Sequence, residues 1–485
     1  MEDLSKKAKR GAIWLSIRQF IIPTWEFGIH VALARMLTPH DFGVVAMGMV
    51  FFRLAVAIST FGIGNVIIQK KNLEKADIVT AQTISSLFGV LICSTFFLLS
   101  PLASIFFMEP LAGKVLSLFS LNFVINSITM IAASLLMKDM RFKINTMIDI
   151  TASFIYGVSA ILGAFFGLGL FSLVYAPILS ALFKAIIICI AVPYLPRFGW
   201  NKVAAMGITK FGGSLTLASI LDYIAMNVDS LIVGKFLGAE PLGLYKRAYD
   251  LAMIPKEKVA DTLNAVFFPF ACEARDDRKW IKSSFLKLSK SIALACFPAL
   301  LFAALSAEEI IRVVYGEKWL GAACAFQFMA LGGIFYSVMV PCGSILIAYG
   351  RMKANMAVKA LCAICLVLAV FLGINFDIGG VSFAVTVTLI LFMFVNFYSI
   401  RKIVGISIVE YFHNMRPPII ISLTITMTLL MYNIISPIKS DIYNILLKSI
   451  ISAIVYVFYI FTYNDPILFN IKRAIIACFL RIREQ

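Results

Sequence analysis

Long apolar runs broken by short charged stretches dominate the chain. Ile78–Met108, Val115–Met137, Trp319–Gly350, Ile378–Ile400 and Pro417–Ile438 contain no Asp, Glu, Lys or Arg. A helix crosses the hydrocarbon core of a bilayer with about 20 mostly apolar residues, so each run is long enough for one crossing. Ile150–Phe183 is also uncharged but too long for one crossing, and Gly167-Leu168-Gly169 divides it into two helices. Further spans carry internal charges. The pattern predicts fourteen helices, at roughly 11–36, 43–68, 78–100, 113–137, 145–166, 170–194, 209–236, 243–270, 284–305, 323–349, 353–374, 378–400, 417–436 and 442–463. The expected class is an all-α polytopic membrane protein.

Two segments 200 residues apart read alike. LARMLTPHDFGVV, Leu33–Val45, matches VGKFLGAEPLGLY, Val233–Tyr245. Arg35 pairs with Lys235, Leu37 with Leu237, Phe42 with Leu242 and Gly43 with Gly243, and Arg10 and Lys210 precede the two helices at the same offset. Six spans lie before the second copy, so both copies enter the membrane in the same direction. Parallel repeats of this kind are related by an axis along the membrane normal, with the substrate site between them. This predicts two pseudo-symmetric six-helix lobes, 1–200 and 201–400, followed by two additional helices and a basic tail in 401–485.

Composition narrows the class. The chain is 61% hydrophobic and 14% charged, against about a quarter charged in a soluble domain. A soluble enzyme, a nucleic-acid-binding protein and a disordered protein are excluded. The net charge of +17 therefore needs no nucleic acid to explain it. Of the 43 basic residues, 29 fall in segments on the side of the N-terminus, 9 on the opposite side, and 5 within spans. Basic loops face the cytoplasm, which predicts both termini there. The start, MEDLSKKAKRGAIWLS, lacks the cleavage pattern of a signal peptide and reads as a retained first membrane helix.

Cysteine and histidine give no sign of a site. The nine cysteines lie mostly in apolar runs, and the pair Cys362 and Cys365 sits inside one helix without a second pair. Three histidines, His30, His40 and His413, do not suggest a zinc centre. No phosphate-cradling GxxxxGK[ST] is present. No cofactor and no metal are expected.

Charges inside spans are the candidate functional groups, because a charge at the bilayer centre costs about 2.5–3.5 kcal/mol and needs a partner or a hydrated cavity. At about 100° per residue, Glu26 and His30 lie about 80° and 120° from Arg18, in one polar sector of the first helix. Asp222 and Asp229 lie about 20° apart on the seventh helix. Shifted by 200, they fall in that same sector. Arg53 follows Phe51 and Phe52 in the second helix. The eighth is far more polar, with Lys246, Arg247, Asp250, Lys256, Glu257, Lys258 and Asp261. Lys246 and Asp250 are spaced to pair, and Pro23 and Pro255 are candidate kinks. The candidate substrate contacts are Arg18, His30, Arg53, Arg247 and Lys256. Glu26, Asp222, Asp229 and Asp250 are candidates for balancing those charges or binding a coupling ion. The competing reading is that these residues form ion pairs that fix helix packing. Arg35 and Lys235 read as helix-end groups, and Asp149 and Lys184 as residues near the interface.

Several motifs carry a family resemblance. Beside the paired helix ends stand Leu136-Met137-Lys138-Asp139-Met140-Arg141-Phe142-Lys143 and Val228-Asp229-Ser230-Leu231-Ile232-Val233-Gly234-Lys235. Tyr315-Gly316-Glu317-Lys318-Trp319 and Gly343-Ser344-Ile345-Leu346-Ile347-Ala348-Tyr349-Gly350-Arg351 follow. Over residues 1 to about 400 the chain resembles the polysaccharide transporter family, the Wzx-type flippases of surface polysaccharides, in the superfamily that also holds drug/cation antiporters and the lipid II flippase. The resemblance implies export of undecaprenyl-diphosphate-linked oligosaccharide across the bacterial cytoplasmic (inner) membrane by alternating access, without covalent chemistry. The implied partners are that lipid-linked oligosaccharide, the phospholipid bilayer, and a polysaccharide polymerase with its chain-length machinery. A drug/cation antiporter is the alternative. A membrane polysaccharide polymerase or glycosyltransferase fits less well, since no large loop or DxD cluster is present.

Overall fold

The computed structural model describes residues 2–59, 63–70, 72–192, 196–202, 204–206, 223, 227–435, 440–463, 465, 468 and 472–473. Within these it describes all side chains except those of 2–10, 12, 57 and 65. Among the described residues there is no strand. The helices are α1 (Glu2–Met36), α2 (Pro39–Ser59), α3 (Ile63–Gln69), α4 (Lys75–Phe107), α5 (Pro110–Lys138), α6 (Phe142–Phe165), α7 (Phe171–Ala191), α8 (Ala239–Pro255), α9 (Asp261–Glu273), α10 (Arg278–Leu305), α11 (Ala307–Val314), α12 (Ala323–Ala348), α13 (Met352–Gly373), α14 (Asp377–Val404), α15 (Ile408–Asn414), α16 (Arg416–Ile435) and α17 (Asp441–Thr462).

Ten described stretches are long and apolar enough to cross a membrane, and one of them, Met352–Val404, contains both α13 and α14. The charged segments 11–36 and 243–270 are helical, as expected, but are not among the ten. Most of 209–236 lies outside the described residues; Tyr223 and 227–236 are helical.

The helix ends follow from local chemistry. Glu74 and Asp77 form a capping box at the start of α4, each side chain answering the other's backbone N–H. The Glu109 carboxylate accepts from Leu111 N with Pro110 at the first helical position of α5. Asp277 caps α10 by accepting from Trp280 N at 3.0 Å. Between α6 and α7, Gly167 and Gly169 take φ of 79° and 57°, a backbone that residues with a Cβ rarely adopt. This is the turn the sequence pattern placed there.

The chain forms two compact units, Met1–Gly243 and Leu244–Gln485. Lipid tails are as apolar as leucine, so small residues and interhelical hydrogen bonds must hold membrane helices together. In the first unit α4 and α5 show this directly. Gln82 and Ser85 both donate to the Ser127 carbonyl, at 3.3 and 3.1 Å. A Cβ on Gly89 would fall 2.7 Å from Ser127 Cβ. The start of α2 meets residues 239–243 in the same manner. A Cβ on Gly43 would fall 1.7 Å from the Ala239 oxygen, and one on Gly243 would fall 2.0 Å from the Pro39 oxygen. The two glycines matched across the 200-residue repeat therefore face each other's helix start reciprocally.

In the second unit, α16 and α17 pack on α10 through Leu294, Ile421, Ile425, Leu429, Ile460 and Leu468. Ion pairs add to this packing and bring in α11. Lys290 pairs with Asp465. Lys448, 1% exposed, donates to Glu309 of α11 at 2.5 Å. On α11, Arg312 Nη1 donates to Asp441 at 2.8 Å while its Nε lies 3.0 Å from Glu317, and the bond to Asp441 raises its pKa above the usual arginine value.

Candidate functional site

Within the first unit, α1 docks along one stripe of α6. Phe142, Thr146, Asp149, Ser153, Tyr156 and Gly157 recur every three or four residues and so share one face. Thr146 Oγ1 donates to the Trp14 carbonyl at 3.4 Å, and Trp25 Nε1 donates to the Ser153 carbonyl at 3.0 Å. The Trp25 ring stacks on Phe154 with centroids 5.0 Å apart. Gly157 leaves room for Ile29 and Trp25, which a Cβ there would approach within 2.8 Å.

All three candidates on α1 meet this helix. Arg18 Nε lies 3.0 Å from Asp149 Oδ2, and Lys184 Nζ of α7 lies 2.7 Å from Asp149 Oδ1. Glu26 accepts from Ser153 Oγ at 3.2 Å. The His30 ring stands edge-on to Tyr156 at 6.2 Å. The polar sector of the first helix is thus engaged by its own unit.

Arg53 on α2 is exposed. Phe51 before it packs against Phe106 and Phe107, and Phe52 against Phe119 and Phe123. The Tyr223 hydroxyl donates to the Val50 carbonyl at 2.7 Å, one turn from Arg53. Asp229 is buried and accepts from the Ser230 backbone N–H at 2.7 Å. Asp222 lies outside the described residues.

In the second unit the candidates cluster on α8 and the turn after it. Arg247 Nη2 sits 2.8 Å from Asp250 Oδ2, and Lys246 Nζ sits 3.4 Å from Asp250 Oδ1. Lys246 also lies over the Tyr249 ring at 4.7 Å. Pro255 cannot donate to the helix ladder, and the chain answers with a π-helical turn, Lys256–Ala260. Such turns concentrate at functional sites. This one brings Lys256 Nζ to 2.9 Å from Asp261 and 4.8 Å above the Tyr336 ring.

Sequence reasoning did not anticipate Asp149 as the partner of Arg18 and of Lys184, nor Tyr336 beside Lys256. Lys184 is the one charge in α7 and Asp149 the one charge in the membrane part of α6 beyond Lys143. Opposite lone charges on consecutive spans are the signal that could have joined them. Among the described residues no group of three or more His, Cys, Asp or Glu could hold a metal ion.

The fold and these groups define a polytopic helical membrane protein with cations and carboxylates placed within its helices. The family model described as polysaccharide biosynthesis protein matches residues 32–324, and the chain belongs to that family. It is 27% identical over 434 residues to the lipopolysaccharide biosynthesis protein WzxC of Escherichia coli, covering 87% of this chain and 86% of that protein. It is 25% identical over 354 residues to the teichuronic acid biosynthesis protein TuaB of Bacillus subtilis, covering 72% and 73%. In fold it is similar to the lipid II flippase MurJ in an inward closed conformation, with a TM-score of 0.76 and 16% identity over 92% of this chain and 98% of that one. An inward-facing multidrug resistance MATE family transporter gives 0.60 at 14% identity, over 81% and 98%.

Proposed function

We propose that the protein is a flippase. It moves undecaprenyl-diphosphate-linked oligosaccharide units from the inner to the outer leaflet of the bacterial cytoplasmic membrane by alternating access, and does not act as an enzyme. The observation that carries this reading is a polysaccharide biosynthesis chain whose membrane helices hold more cations than carboxylates at Asp149 and at Asp250. A diphosphate head is doubly anionic, and arginine matches its oxygens with a planar, permanently charged fork. Arg247 and Lys256 contact this head or the first sugar, with Arg18, His30 and Arg53 completing the set. Glu26, Asp222, Asp229 and Asp250 balance the charge or take a coupling ion.

Fourteen spans, both termini cytoplasmic, and lobes of 1–200 and 201–400 followed by 401–485 complete the proposal. The bias of 29 basic residues on one side to 9 on the other supports the orientation. A polymerase and its chain-length machinery are the proposed receivers of the product. The test is deletion of the gene followed by analysis of the lipid extract. Accumulation of a polyprenyl-diphosphate oligosaccharide, reversed by the wild-type gene, is the expected result. An unchanged lipid profile with new drug sensitivity would overturn the reading in favour of an antiporter.

A further inference from the structure

The cluster at Asp149 holds more positive charge than its packing role needs. Asp149 has two oxygens, and each is already taken, one by Arg18 and one by Lys184. An arginine brings five N–H donors and a lysine three, against a single carboxylate. The carboxylate is 7% exposed, whereas Arg18 and Lys184 remain 39% and 30% exposed. The three side chains therefore carry one excess positive charge, buried on its acidic side and open on its basic side.

The location is equally specific. Asp149 lies seven residues from the start of α6, and Lys184 seven residues from the end of α7. At 1.5 Å per residue both sit about 10 Å from the same end of the first unit. Lys138, Arg141 and Lys143 mark that end as an interface. At this depth Asp149 holds the charged ends of Arg18 and Lys184 just below the headgroup layer, with their exposed sides turned away from the carboxylate.

We propose that Arg18 and Lys184, held by Asp149, form a binding site for the phosphate of a lipid in the adjoining leaflet. Its occupant is either an anionic phospholipid headgroup or the phosphate of a polyprenyl carrier. The polyprenyl case rests on the flippase reading, and the phospholipid case does not. Lys184→Gln leaves a one-to-one pair of Arg18 with Asp149, so it removes the excess charge without stranding a buried one.

The test is native mass spectrometry of the full-length protein released from nanodiscs. One set contains phosphatidylethanolamine with phosphatidylglycerol, and a second contains phosphatidylethanolamine with undecaprenyl phosphate. Wild type retains the anionic lipid. Lys184→Gln lowers retention about fivefold, the worth of one basic residue against an anionic lipid, and Lys184→Arg restores it. Retention of phosphatidylglycerol assigns the site to phospholipid, and retention of undecaprenyl phosphate alone assigns it to the carrier. Equal retention by wild type and Lys184→Gln overturns the proposal. In a third set, with diacylglycerol in place of the anionic lipid, wild type holding diacylglycerol as strongly as phosphatidylglycerol also overturns it, a result that needs no variant to fold. Neither overturning result alters the lipid profile of the deletion strain, on which the flippase reading stands or falls separately.

Discussion

Asp149 and Asp250 are each answered by two cations, yet the two clusters are built differently. Asp149 is 7% exposed, and its cations arrive from α1 and α7, so three helices meet on one carboxylate. Asp250 is 38% exposed, and both of its cations, Lys246 and Arg247, lie on its own helix. Removing one member of a buried pair strands a charge, whereas a half-exposed pair between near neighbours contributes little to stability. The same chemical formula therefore does two jobs. At Asp149 it joins helices, and its spare charge reaches outward. At Asp250 it sets two cations against a carboxylate of their own helix.

Substitutions can break this contrast. The largest effect is expected from Asp149→Ala, which strands Arg18 and Lys184. Thermal unfolding in detergent should show a loss of about 1–3 kcal/mol, less than for a fully buried pair because both cations keep part of their surface exposed. Replacing all three together, as Arg18→Met, Asp149→Leu and Lys184→Met, should bring stability back to near wild type, since well-packed apolar groups replace a buried ionic cluster at little or no cost. Failure of the triple variant to recover would mean that the charges themselves, not their pairing, hold α1 to α6.

At the other cluster the order of effects reverses. Arg247→Gln should lower polysaccharide export about tenfold at equal protein level, the equivalent of one charge-assisted hydrogen bond of about 1.4 kcal/mol. Asp250→Asn should change stability by less than about 1 kcal/mol and reduce export by a smaller factor, because Arg247 itself stays in place and loses one of its contacts. A large drop in unfolding temperature from Asp250→Asn would erase the distinction between the two sites.

Much of the fold is legible in the amino-acid sequence. The apolar runs mark the helices because a membrane helix must satisfy its own backbone and present an apolar surface, a demand that leaves a strong imprint on sequence. The division at Gly167 and Gly169 is legible for a local reason, since two positive-φ residues stop a helix wherever they stand. The pairing of Arg18 is not. Helical periodicity places Arg18, Glu26 and His30 in one sector of α1, but says nothing about which neighbour that sector meets. The answer depends on the stripe along α6 from Phe142 to Gly157, which is a tertiary fact. The Lys246 and Asp250 pair is legible because both ends lie one turn apart on one helix. The same holds for Pro255 as a disruption, though the π-helical turn that absorbs it, and the Tyr336 ring it brings to Lys256, emerge only from the packing of the helices.

The most direct test of the central claim is transport by the purified protein. The lipid-linked oligosaccharide that accumulates in the deletion strain is placed in the inner leaflet of proteoliposomes, and its appearance outside is followed with a membrane-impermeant lectin or glycosidase. Wild type should expose the oligosaccharide well above protein-free vesicles, and Arg247→Gln should expose about a tenth as much, the fraction left when about 1.4 kcal/mol of binding is removed. Exposure by wild type no faster than in protein-free vesicles would contradict the account.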